Sequence, residues 1–432
     1  MPALPATGGG QREDLAHVRR DAAWSYGAFA IFAATGATSN LAIAFFRGEE
    51  AMGVFAQLYA LFVVLGQLAS CGVHDSAQRH VAFARARGRD DAPVASSAVL
   101  AVVPPALLVA SALAFVASPI GALLESPAVA GGALRLAPGL ALFALNKCLL
   151  AVLTGRGELR RVALGQILRA VGFGAALATV IGLSLPVETL GGVFTLSELA
   201  VTWRVASWVG LRRLRLEELS EVAAHLRFGL RGLLHAVLLE TQLRVDVLML
   251  AVFASDHDVG VYGFAALFGE GLYQLGGVLR NVVYARVVTA LAMNDRAALL
   301  ALVRRTSTLS FFAAGIVGLG VLLIFPTLAE AARPAFADEG GRIVQVLVAT
   351  MVLYALVAPF DQILLQSGRP GAQSAWMAFS VSTNVVANLV LIPRLGGLGA
   401  ALATASAFLA SSLTLGWLAR TIIAPLRRAT SG

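Results

Sequence analysis

Apolar residues run along this chain in stretches of about twenty, each long enough to cross roughly 30 Å of hydrocarbon as a helix. Polar residues collect in the short intervals between them. The runs lack the in–out alternation of a barrel strand, and a backbone with no water to bond must then coil into helices. Twelve spans are predicted. Six lie at Trp24–Phe46, Met52–Val73, Val94–Val116, Leu136–Leu153, Val162–Leu183 and Gly191–Leu211. Six more lie at Phe228–Phe253, Val259–Val282, Leu299–Phe325, Ile343–Ile363, Trp376–Ile392 and Gly397–Leu418. The predicted fold class is all-α: a polytopic membrane protein of twelve transmembrane helices in two six-helix lobes. An even number of spans puts both termini on one side. The expected divisions are a tail 1–23, an N-lobe 24–211, a linker helix 212–227, a C-lobe 228–418 and a tail 419–432.

Arginine supplies the orientation. With the N-terminus inside, 22 arginines fall on the inner side, against only Arg47, Arg135, Arg333, Arg342 and Arg394 in outer loops. That is the bias of cytoplasmic loops, so the termini and linker are expected in the cytoplasm and the chain in the bacterial inner membrane. The net charge of +8 and the pI near 10.3 then reflect orientation rather than nucleic-acid binding. With 58% hydrophobic and 13% charged residues and a mean hydropathy of +0.78, the chain departs from soluble domains, which are about a quarter charged. Cys71 and Cys148 lie in spans without partner spacing and the six histidines form no cluster, so no disulfide framework, metal site or cofactor is indicated. Met1–Asp21 is polar and mixed in charge and Trp24–Phe46 is too long for a signal core, so the first span reads as retained.

The halves repeat. Gly53-Val54-Phe55 matches Gly260-Val261-Tyr262, Gln67 matches Gln274 and Arg79 matches Arg286, all 207 residues apart. The inner turn Thr154-Gly155-Arg156 matches Ser367-Gly368-Arg369 at a shift of 213, and the outer turn Leu185-Pro186 matches Ile392-Pro393 at 207. Six spans per half make these parallel repeats, related by an axis along the membrane normal. Transporters use that arrangement for a central site between two rocking lobes. The linker, with Leu214-Arg215-Leu216-Glu217-Glu218-Leu219, reads either as an amphipathic surface helix or as a solvated connector.

The same residues carry a family resemblance. Arg47-Gly48-Glu49-Glu50-Ala51-Met52-Gly53-Val54-Phe55 resembles the first outer turn of polysaccharide flippases in the multidrug/oligosaccharidyl-lipid/polysaccharide (MOP) exporter superfamily. Arg244-Val245-Asp246-Val247-Leu248-Met249-Leu250 and Asp258-Val259-Gly260-Val261-Tyr262 resemble the entry to that family's second half. Asn388-Leu389-Val390-Leu391-Ile392-Pro393, then Gly396-Gly397-Leu398-Gly399-Ala400-Ala401-Leu402-Ala403-Thr404, is the most specific match. The chain ends after twelve expected spans, whereas lipid II flippases carry two more. The resemblance implies a transporter that flips an undecaprenyl-pyrophosphate-linked oligosaccharide to the outer leaflet. It would work by alternating access around a cationic cavity, driven by a coupling cation (H⁺ or Na⁺) or the membrane potential. A glycan polymerase and other polysaccharide-assembly proteins would be its partners.

Charges inside spans mark candidate sites, because each costs roughly 2.5–3.5 kcal/mol at mid-membrane unless it faces a cavity or a partner. Lys147, the one lysine in the sequence, and Arg169 suit a pyrophosphate; alternatively Glu198 holds them, or they snorkel to the interface. Arg244 pairs with Glu240 one turn away or contacts substrate. Arg280 is a substrate contact or an interfacial anchor. Glu240, Asp246, Glu270 and Glu198 are the ion-coupling candidates, with helix packing the alternative for Asp246 and pairing with Arg244 for Glu270. Asn384 and Asn388 bond neighbouring helices or line the cavity.

Three other functions compete. A cation-coupled multidrug exporter would line its cavity with acids and aromatics, where the first half here offers Lys147 and Arg169. A polytopic glycan polymerase or ligase would carry a catalytic outer loop, yet Ala117–Arg135 and Pro326–Arg342 contain no histidine and no acid–base constellation, so no enzyme is expected. A non-catalytic scaffold of glycan assembly is the third.

Overall fold

The structure, a computed structural model, describes the backbone of residues 8–210 and 219–424 and the side chains of 23–210 and 220–424. Residues 211–218, which hold the first part of the expected linker 212–227, and the chain ends at 1–7 and 425–432 lie outside the described residues. Among the described residues the fold is helical, without strands. In chain order the helices are α1 (Gly8–Ser70), α2 (Val73–Ala86), α3 (Ala92–Leu123), α4 (Pro127–Gly155), α5 (Leu159–Gly182) and α6 (Leu190–Val209). There follow α7 (Leu219–Phe253), α8 (Asp256–Ala292), α9 (Arg296–Ala332), α10 (Pro334–Asp338), α11 (Gly340–Tyr354), α12 (Ile363–Gln366) and α13 (Pro370–Ile423).

Seven of these are long and apolar enough to cross a membrane, and the bent pair around α11 and α12 makes an eighth. Two of the seven are each two helices joined at a break. In α1 the break is Gly48 (φ 82°, ψ −168°), between the first two predicted spans; in α13 it is Gly396 (φ 55°, ψ −132°), between the last two. Both lie at positive φ, where a Cβ is strained and glycine is not. The helix runs on through Pro393, so the predicted turn at Ile392-Pro393 sits three residues later. The tenth predicted span is not one straight helix. It bends by 52° after Tyr354, because the ring of Pro359 would clash with the carbonyl of Ala355 in a continuous helix. Large apolar side chains face outward, with Phe115 85%, Trp203 79% and Ile316 73% exposed. A surface of this kind calls for an apolar solvent.

The chain forms two compact units. One gathers the described residues up to Ser39 with Leu65–Ser118 and Ala130–Leu233; the other gathers Asn40–Val64, Pro119–Val129 and the described residues from Leu234. In the first unit the end of α1 meets the start of α7 backbone to backbone. A Cβ on Gly72 would lie 2.5 Å from the Gly229 carbonyl oxygen, and one on Gly229 2.2 Å from that of Cys71. Arg156 bonds Asp91 at 2.6 Å and the Val209 carbonyl at 3.2 Å, so residues expected on the inner side are tied together.

In the second unit the glycines of the repeat cross. A Cβ on Gly53 would lie 1.8 Å from the Asp256 carbonyl oxygen, and one on Gly260 1.9 Å from that of Glu49. The contacts are reciprocal, and Glu49 and Asp256 are themselves 207 residues apart. Asp256 also accepts from Gln57 and Ser126, both at 2.6 Å. The repeated inner turn is shifted from its expected register. Its positive-φ glycine is Gly157 in the first half and Gly368 in the second, 211 apart, and each turn closes with the same pair of backbone bonds. These are Gly157 to Thr154 and Glu158 to Leu153, repeated as Gly368 to Leu365 and Arg369 to Leu364. Gly155 is instead a packing position, 2.6 Å from the Gln78 carbonyl oxygen if given a Cβ.

Candidate functional site

In the first unit the site residues hang on α4, α5 and α6. Arg169 of α5 reaches Glu198 of α6 with both Nε (2.6 Å) and Nη2 (3.1 Å), while Nη1 bonds Gln166 at 2.8 Å. Asn146 of α4 donates to the Glu198 carboxylate and to its main-chain carbonyl, each at 2.8 Å. The acid is the deeper member, its side chain 2% exposed against 13% for Arg169. Phe143, one turn before Lys147, lies under the Arg169 guanidinium at 5.4 Å. Lys147 Nζ donates to Gln67 at 2.6 Å. The two predicted cations therefore flank one face of α4 while using different partners.

In the second unit Arg244 grips Glu270 in a two-point pair at 2.5 and 2.9 Å and lies 4.6 Å from the Tyr59 ring centre. Its hydrogen bonds go to Glu270; Glu240, one turn away on α7, acts on it through charge. Here the acid is the more open member, at 30% against 12%. Arg280 donates to Asp361 at 2.6 Å, and again the acid is the more buried. Asp361 follows the bend of the tenth span; its other oxygen, Oδ1, has no partner, and Gln373 holds its main-chain carbonyl at 2.8 Å.

Asp246 has a different setting. It is 6% exposed and accepts from Tyr262 (3.0 Å) of α8 and from Asn388 (3.1 Å) and Thr404 (2.5 Å) of α13. Asn388 also donates to Asn384 Oδ1 at 2.7 Å, leaving Asn388 Oδ1 and Asn384 Nδ2 buried without partners. All of its hydrogen-bond partners are neutral. Of the two readings of the asparagines, bonding to a neighbouring helix is what the contacts show, through Asn388 to Asp246.

Sequence reasoning passed over Asp361, Tyr59, Tyr262 and Thr404. Asp361 carried the usual signal, an acid inside a predicted span. The other three are hydroxyl residues in apolar runs, which nothing in one dimension separates from packing. Among the described residues no group of three His, Cys, Asp or Glu side chains could hold a metal.

No family model matches the chain, and no curated protein matches it. Solved structures do. An inward-facing multidrug-resistance MATE-family transporter of the MOP superfamily aligns with a TM-score of 0.73 at 14% identity, over 92% of this chain and 96% of that one. The lipid II flippase MurJ, in an inward closed conformation, aligns at 0.74 and 13% identity over 93% and 89%. A MOP superfamily transporter from Pyrococcus furiosus, described for the reverse polarity of its binding pocket, aligns at 0.59 and 16% over 95% and 96%. The chain has the fold of the MOP superfamily transporters.

Proposed function

We propose that this protein is a twelve-span, N-in/C-in transporter of the bacterial inner membrane that flips an undecaprenyl-pyrophosphate-linked oligosaccharide to the outer leaflet. One observation carries the reading. Arg169 and Arg280 lie within predicted spans, each paired with an acid more deeply buried than itself, and neither arginine side chain is fully buried, at 13% and 19% exposed. Such a pair keeps a cation in place without sealing it, and an incoming pyrophosphate competes for the free donors. Lys147 and Arg244 add to this cationic set. Glu198 acts as the anchor of Arg169, and Glu270, the more open member of its pair with Arg244, is a second ion-coupling candidate.

Asp246 supplies the coupling-cation site in this reading. A half-turn of its neighbouring amides brings Asn388 Oδ1 toward the carboxylate, and Thr404 Oγ completes an oxygen set of the kind hard cations take. A single carboxylate among neutral ligands suits a monovalent ion, Na⁺ or a proton, rather than a divalent one. Access alternates between inward- and outward-facing states.

Deleting the gene should make cells accumulate cytoplasm-facing lipid-linked repeat units, read by accessibility to a membrane-impermeant glycan probe. Unchanged amount and sidedness would remove the flippase reading.

A further inference from the structure

The end of α2 and the end of α8 are built alike and charged differently. Gly88 and Asn294 both take positive φ, and Arg89 N bonds Ala84 O at 2.9 Å as Asp295 N bonds Ala290 O at 3.0 Å, a constant shift of 206. Each end opens a cavity, of about 370 Å³ beside α2 and about 310 Å³ beside α8. Arg286, Thr289, Met293 and Asp295 line the second cavity where His80, Phe83, Arg87 and Arg89 line the first. The repeat therefore accounts for the shape but not for the paired arginines and the aromatic ring, since the α8 cavity holds one arginine and no ring.

The α2 cavity leaves its arginines open while its acids are occupied. Both acids on its wall are engaged, Asp90 with the amide of Ala92 (3.1 Å) and Glu221 with Ser97 (3.2 Å). Among the described residues Arg87 and Arg89 make no ion pair. Behind them His80 Nδ1 faces the Ser76 carbonyl at 2.8 Å; a carbonyl only accepts, so Nδ1 carries the hydrogen and Nε2 is left for the cavity. His225 is fixed between Ser76 (2.8 Å) and Ser97 (3.2 Å), and burial, then its neighbour His80, push it down to about 4, so it stays neutral and rigid at physiological pH. Phe83 is 49% exposed beside these cations, on the side that the arginine bias assigns to the cytoplasm. A half-exposed ring flanked by guanidinium groups at a helix end suits the headgroup layer of a membrane.

We propose that this cavity binds the phosphate of an anionic phospholipid of the inner leaflet, with Arg87 and Arg89 on the phosphate and Phe83 against the glycerol and acyl carbons. It is a lipid site separate from the cargo path. The test is native mass spectrometry of the intact protein in detergent, titrated with cardiolipin, phosphatidylglycerol or phosphatidylcholine. The wild type should retain the anionic lipids and shed phosphatidylcholine. Each arginine near a charged surface contributes roughly a factor of five, so R87Q/R89Q should weaken retention about thirty-fold. Glu221→Gln removes the opposing charge and should strengthen retention, a gain that damaged folding does not produce. Equal retention by R87Q/R89Q overturns the proposal. So does displacement of the phospholipid by undecaprenyl pyrophosphate, which would make this a cargo site. The readout is lipid retention, so it stands or falls apart from flipping activity.

Discussion

Replacing Gly53 or Gly260 by alanine tests whether the sequence repeat is a physical crossing. The added Cβ of Gly53→Ala would sit 1.8 Å from the Asp256 carbonyl oxygen, whereas ordinary contact begins at 3.4 Å. The two backbones must therefore separate by about 1.6 Å (3.4 − 1.8). Neither partner can rotate away, because the atom struck is main chain. Overpacking of side chains costs roughly 1–3 kcal/mol, and a backbone clash belongs at or above the top of that range, so Gly53→Ala should cost about 3 kcal/mol. Gly260→Ala, 1.9 Å from the Glu49 oxygen, should cost about the same. Because the contacts are reciprocal, separation forced by one alanine makes room for the second. The double variant should then cost far less than the sum, a coupling on the order of 1–3 kcal/mol. Thermal unfolding in detergent of the wild type, both single variants and the double variant measures all of this. Wild-type stability in Gly53→Ala, or strict additivity in the double variant, would refute the crossing.

Glu198→Leu strips Arg169 of its carboxylate, while Asn146 keeps the main-chain carbonyl, and should cost about 3–5 kcal/mol, read as a lower unfolding midpoint; R169L/E198L should recover most of it. Asp246→Ala removes the acceptor of Tyr262, Asn388 and Thr404 and should abolish the cation dependence of transport, whereas normal stimulation by Na⁺ or a proton gradient would dismiss the coupling site. His225 lies ahead of the seventh predicted span with a value near 4, against about 6.5 in an unfolded chain, so the unfolded state binds the extra proton. Its contribution is complete above about pH 6.5, falls through the interval down to pH 4 and amounts to at most about 3 kcal/mol. His225→Gln should flatten that part of the stability–pH curve.

Much of the fold was legible because the bilayer constrains it in one dimension. Span length and the 207-residue repeat need no tertiary information, and the breaks at Gly48 and Gly396 fall where loops were expected. The bend after Tyr354 was not expected, since a single proline within an apolar run also occurs in continuous membrane helices; Pro393 is one such case in this chain. The candidate site was half legible. A charge inside a predicted span announces itself, which picks out Lys147, Arg169, Glu198, Glu240, Arg244, Asp246, Glu270 and Arg280 as candidates. Its partner does not: Arg244 had acids at Glu240 and Glu270 to choose between, and only packing of α7 against α8 brings the second within 2.5 Å. The bonds from Thr404 and Asn388 to Asp246 join positions 158 and 142 residues apart, with no local signal for either.

The central claim is that the cations at span depth exist to carry an anionic lipid-linked glycan. Purified protein reconstituted into vesicles, with a fluorescent undecaprenyl-pyrophosphate oligosaccharide in the outer leaflet and an impermeant quencher outside, reads its translocation directly. The account predicts quencher protection that needs the wild-type protein and disappears in K147A/R169A, compared at equal amounts of folded protein because loss of Arg169 leaves Glu198 without its cation. Protection no faster than in empty vesicles, from protein that still expels cationic dyes, would contradict it.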